Sequence, residues 1–217
     1  MSTAELPFPL IRWLSRPLTG VLAATPLSAN VITTLSLVAG LGTVPILLAP
    51  GPWTGTWAGV LMVLCYVLDN CDGEIARLKD QCSEFGMRYD SFVDWVVHTA
   101  FFAALGEGQA SVTGEHWWAW AGWAAAAGGT INYLLGFALD HFDQQTVEER
   151  EQGDYRPQTR SEWVLFAFRE LTRADFCFIV LALGIADVLW VLLPAGAIGA
   201  QVYWITQFQR SARRFHV

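Results

Sequence analysis

Apolar residues in this chain form long runs separated by short polar or proline-punctuated clusters. The first run extends from about Val31 to Leu48 and stops at Pro50-Gly51-Pro52. Others cover about Thr56 to Leu78, Phe85 to Leu105, Trp118 to Leu139, Phe176 to Leu193 and Ala195 to Phe208. About 20 apolar residues in a helix cross the hydrocarbon core of a bilayer, so the pattern predicts six transmembrane helices. Only Pro194-Ala195-Gly196 divides the last two. Ahead of them, Leu10, Leu14, Leu18, Val21 and Leu22 recur at a helical period, with Arg12 and Arg16 opposite. That arrangement predicts an amphipathic helix over residues 8–24 lying on the membrane surface. The expected fold class is an all-α integral membrane protein, one domain over residues 1–217. Its six-span bundle, residues 31–212, follows the interfacial helix.

Composition strengthens this picture. Hydrophobic residues make up 53% of the chain and charged ones only 15%, against about 25% charged in soluble domains. The formal net charge of −7 argues against a nucleic-acid partner. Charge placement then sets the orientation. Arg12 and Arg16, Arg77, Lys79 and Arg88, the arginines from Arg150 to Arg173, and Arg210, Arg213 and Arg214 are all 13 basic residues. In a six-span chain every one falls on the same side, which is the cytoplasmic side. Both termini are expected there, in the cell membrane. Trp53, Trp57, Trp117, Trp118 and Trp120 would anchor the opposite interface. Cys65, Cys71, Cys82 and Cys177 form no CxxC pair and read as packing residues. The chain begins with a polar, proline-containing stretch and not with a secretory leader.

Spans two and three carry the chemistry. Asp69, Asp72, Gly73 and Ala76 lie at helical spacing on one face, as do Gly86, Asp90 and Asp94. Folded antiparallel about a turn near Asp80 to Ser83, the hairpin pairs Asp72 with Asp90 and Asp69 with Asp94. At ~1.5 Å per residue these pairs lie ~10 Å and ~15 Å from the turn. Each ionised Asp in a membrane helix costs roughly 2.5–3.5 kcal/mol. Four together cost on the order of 10 kcal/mol unless paired. Arg77 supplies one positive charge, whereas two divalent cations balance all four. Oxygen ligands alone suit hard ions such as Mg2+ or Mn2+, and two-metal sites serve phosphoryl displacement.

The whole pattern reads D-x2-D-G-x2-A-R-x8-G-x3-D-x3-D across Asp69, Asp72, Gly73, Ala76, Arg77, Gly86, Asp90 and Asp94. It resembles the signature of the CDP-alcohol phosphotransferase family at every fixed position. The six-span layout, the leading helix and the segment Asn30-Val31-Ile32-Thr33 are similar to the family too. Trp95 stands where an arginine often follows the last aspartate. The resemblance implies a membrane transferase of phospholipid biosynthesis that moves a phosphoalcohol group from a CDP-alcohol to a second alcohol and releases CMP. It implies Asp69, Asp72 and Asp90 as metal ligands, with Asp94 completing the second metal site and serving as general base. It also implies Asp69, Gly73, Ala76, Arg77 and Gly86 as the nucleotide-binding set, and a homodimer.

CDP-diacylglycerol is the expected donor, with an acceptor of the inositol phosphate or glycerol phosphate type. Arg169 and Arg173, four apart at the opening of span five, are candidates for holding an acceptor phosphate. Asp175 would pair with them. His98 extends the Asp90–Asp94 stripe by one turn and reads as a hydrogen-bonded histidine, and Asn132 as an interhelical hydrogen-bonding residue. Two alternatives stay open at this point. One is a family member using CDP-inositol or a CDP-amino-alcohol. The other is a divalent-cation channel or transporter, since membrane aspartates also line ion paths.

Overall fold

The computed structural model describes residues 9–142 and 175–214. Among these residues the regular structure is entirely helical, and Arg169 and Arg173 lie outside them.

Helix α1, Ile11–Ala23, packs against the motif-bearing helix α4, Thr54–Leu78. The face it turns inward is Ile11, Ser15 and Thr19, with Leu18 and Leu22 alongside. Leu14 and Val21 of the apolar stripe stay exposed beside Trp13. Helix α2, Ala29–Leu41, is followed after Gly42 by α3, Thr43–Leu48. Pro45 explains the break, since it lacks the N–H that would bond the Leu41 carbonyl. Together they form a 20-residue stretch of mean hydropathy 2.1, long and apolar enough to cross a membrane.

Helix α4 and α5, Glu84–Thr113, make the hairpin. The turn between them places Asp80 at a φ of 54°, a conformation Asp tolerates better than most residues. Ser83 then caps α5, its hydroxyl accepting from the Gly86 N–H at 3.0 Å. The third run therefore reaches well past Leu105, to a left-handed Gly114. Helix α6, Trp117–Phe142, returns alongside α5. They cross at Gly106 and Gly122, where an added Cβ on Gly106 would sit 2.9 Å from the Gly122 Cα. Only hydrogen side chains allow so close an approach.

Helix α7, Phe176–Ile185, packs on α4 through the similar pair Gly55 and Gly184. The break before α8, Leu192–Arg214, falls at Ala186–Val188 and not at Pro194. There Asp187 takes a φ of 57° and the Val188 N–H returns to the Leu183 carbonyl at 2.9 Å. A single turn of 3-10 helix, Leu189–Val191, leads into α8. Pro194 is thus in the first turn of a helix, where its missing N–H costs nothing. The window Leu189–Thr206 is the second one long and apolar enough to cross a membrane. The core lies where α2, α4, α5 and α7 meet, around Ile32, Met62, Ile75, Val97, Phe101 and Val180. Cys65, Cys71 and Cys177 are buried in it as free thiols, while Cys82 is exposed.

Candidate active site

Helical spacing brings the motif side chains to the seam between α4 and α5. Ligand oxygens of Asp69, Asp72 and Asp90 all lie within 4.8 Å of one another. Asp72 and Asp90, expected to pair, are thus together, with Asp69 beside them. Asp69 and Asp72 are less than a turn apart, ~4.5 Å along the axis, so one carboxylate opposite them reaches both. Asp90 takes that place, and Asp94 lies outside the trio, one turn further along α5.

The surroundings of the trio are unevenly satisfied. Asp72 is buried, and its Oδ2 accepts from the Thr33 hydroxyl of α2 at 2.5 Å. Among the described residues, Asp90 Oδ1 is buried without a hydrogen-bond partner. A buried carboxylate oxygen left unpaired is costly, and a hard cation is a natural partner for it. The donor set, oxygen only and on two helices, fits Mg2+ or Mn2+.

Around this centre the small motif residues leave space. An added Cβ on Gly73 would be 3.5 Å from Arg77 Nη1, so the guanidinium folds back over that glycine. An added Cβ on Gly86 would be 3.4 Å from Asn30 Oδ1 and 3.2 Å from Ser83 Oγ. Residues of α2, α4 and α5 thus surround the cluster. Ala76 is half-buried against the core. His98 Nδ1 lies 2.7 Å from the Asp94 carbonyl oxygen and Nε2 lies 2.8 Å from the Tyr66 hydroxyl. Asn132 Oδ1 is buried with no partner among the described residues.

A family model described as CDP-alcohol phosphatidyltransferase matches residues 27–198. The chain belongs to the CDP-alcohol phosphatidyltransferase family. The match contains all eight motif positions and also Asn30 and Thr33, while α1 precedes it. Comparison with curated protein sequences gives no match. Among solved structures, the chain is similar to Mycobacterium tuberculosis phosphatidylinositol phosphate synthase crystallised with CDP-DAG bound. Identity is 17% and the TM-score 0.55, over 89% of this chain and 92% of that one. At that identity the likeness speaks for the fold, and it spans most of both chains.

Sequence reasoning missed three contributors. Thr33 bonds Asp72. Lys79 Nζ donates to the Thr25 and Leu27 carbonyls at 2.7 and 2.9 Å, and Gln81 Oε1 accepts from the Ala29 N–H at 2.9 Å. The last two fasten the start of α2 to the hairpin turn. Asp175 has a role that the sequence did not suggest, while the arginines expected beside it lie outside the described residues. Its carboxylate accepts from the Leu10 and Ile11 N–H groups at 2.8 and 2.9 Å, capping α1.

Proposed function

We propose that the protein is an integral membrane enzyme that transfers a phosphatidyl group from CDP-diacylglycerol to the hydroxyl of a small polar alcohol, releasing CMP. The observation that carries this reading is the trio Asp69, Asp72 and Asp90, with an unpartnered buried oxygen on Asp90, set in the family's motif. The lipid-linked donor is supported by the CDP-DAG held by the structural neighbour. The whole chain, residues 1–217, acts as one membrane domain whose site opens to the cytoplasmic side.

Asp69, Asp72 and Asp90 hold Mg2+ or Mn2+, two ions with Asp94 completing the second site. Ions held by these residues would supply Lewis-acid polarisation of the diphosphate and charge neutralisation for CMP. Gly73, Ala76, Arg77 and Gly86 shape the nucleotide site with Asp69, and the Arg77 guanidinium, folded over Gly73, meets phosphate. The acceptor oxygen forms a bond to the phosphorus that carries the diacylglycerol, and the bond from that phosphorus to the CMP oxygen breaks. The acceptor's proton passes to Asp94, a weak base that acts by placement. Arg169 and Arg173 hold an acceptor phosphate, of the inositol phosphate or glycerol phosphate type.

The test is CMP release by purified protein with Mg2+ or Mn2+, CDP-diacylglycerol and a panel of alcohols. Absence of CMP release with every CDP-alcohol offered, together with cation flux in vesicles, would overturn the enzyme reading. Asp94→Asn is expected to abolish turnover while CDP-diacylglycerol still binds, and normal turnover in that variant removes Asp94 as base.

A further inference from the structure

One turn beyond the carboxylates, α4 and α5 are joined directly by side chains. Tyr66 precedes Asp69 by three residues on α4, and His98 follows Asp94 by four on α5. Their hydrogen bond of 2.8 Å crosses the seam. The Asp94 carbonyl can only accept, so His98 Nδ1 carries the proton there. In the neutral imidazole Nε2 then accepts from the Tyr66 hydroxyl. Both ring nitrogens are thereby engaged. The ring is further fixed edge-on to Tyr66, centroids 5.9 Å apart at 71°, and against Phe176 at 5.9 Å. Tyr66 is buried, so water does not replace the bond.

This bond sits beside a concentration of like charge. Asp69 and Asp72 on one helix come within 4.8 Å of Asp90 on the other, and when ionised the three repel one another and act to open the seam. We propose that Tyr66 and His98 are positioning residues, a strut that holds α4 and α5 at the spacing over which Asp69, Asp72 and Asp90 share a divalent cation. The inference rests on the metal reading of those aspartates. It requires no change of protonation in either residue.

The test is Mn2+ binding to the full-length protein in detergent, read as loss of the free Mn2+ electron paramagnetic resonance signal, without substrate or turnover. Tyr66→Phe and His98→Phe are each expected to raise the Mn2+ dissociation constant by about three- to tenfold, the effect of one lost hydrogen bond. The double variant should be no worse than His98→Phe alone, which already removes the Tyr66 bond. His98→Gln, whose Oε1 stands in for Nε2 as acceptor, should bind within about twofold of wild type. Unchanged Mn2+ affinity in both phenyl variants, even with a lowered melting temperature, overturns the strut and leaves only a packing role. If Tyr66→Phe does not fold, His98→Asn decides. Its amide reaches the Asp94 carbonyl but not Tyr66, so wild-type affinity in that variant also overturns the proposal. Failure of the wild-type protein itself to bind Mn2+ would refute the metal reading, a result distinct from failure of the strut.

Discussion

Thr33 offers the sharpest test of how the aspartates are held. Its hydroxyl donates to Asp72 Oδ2 at 2.5 Å, and the two residues are 3% and 5% exposed, too little for water to substitute. Thr33→Val keeps the side chain's shape and removes only the donor. A hydrogen bond to a charged group contributes about 1.5–3 kcal/mol, and leaving the acceptor buried and unpaired costs a similar amount. If Asp72 must keep this orientation through the reaction, that energy appears in the barrier. At about 1.4 kcal/mol per factor of ten, kcat/KM should fall about 10- to 150-fold. The assay is CMP release in detergent micelles, with the best acceptor from the alcohol panel. The Mn2+ concentration for half-maximal rate should rise in parallel. Thr33→Ser retains the hydroxyl and should stay within about threefold of wild type. A folded Thr33→Val enzyme with kcat/KM within about twofold of wild type would refute the idea that α2 orients Asp72.

Other perturbations probe the scaffold. Gly106→Val would put its Cβ 2.8 Å from the Trp118 carbonyl oxygen and 2.9 Å from the Gly122 Cα, both backbone atoms that cannot rotate away. Overpacking of this kind costs about 1–3 kcal/mol, to be seen as a lower melting temperature in detergent. Gly20→Ala has nothing within 4 Å of the new Cβ and lies inside α1. It should leave stability unchanged or raise it by up to about 1 kcal/mol. Asp175→Ala removes the acceptor for two α1 N–H groups, a loss of about 1–2 kcal/mol. Amide exchange at Leu10 and Ile11 should accelerate, whereas exchange in α5 should not.

The hairpin was legible because helical spacing maps directly onto a face, and a carboxylate in an apolar run is costly enough to demand a partner. Depth along each helix sets Asp72 level with Asp90, but it does not show that Asp69 also comes within 4.8 Å of both. Residue counting fixes height but not the lateral offset of two crossing helices. Thr33 and Asp175 were beyond reach for a different cause. Their partners lie 39 and 164 residues away, and no local period couples such positions. The α7–α8 break was placed at a proline, when the chain in fact turns on Asp187 and uses Pro194 to start the next helix.

The cap on α1 has a consequence for the order of assembly. The carboxylate that receives the Leu10 and Ile11 N–H groups comes 165 and 164 positions after them in the chain. A ribosome adding ~5–20 residues per second delivers Asp175 only after the whole α4–α5 hairpin has been made. Until then α1 can lie on α4 through Ile11, Ser15 and Thr19, but its first turn has no acceptor. Completion of α1 is therefore coupled to synthesis of α7, and a nascent chain arrested before Asp175 should expose α1 to protease.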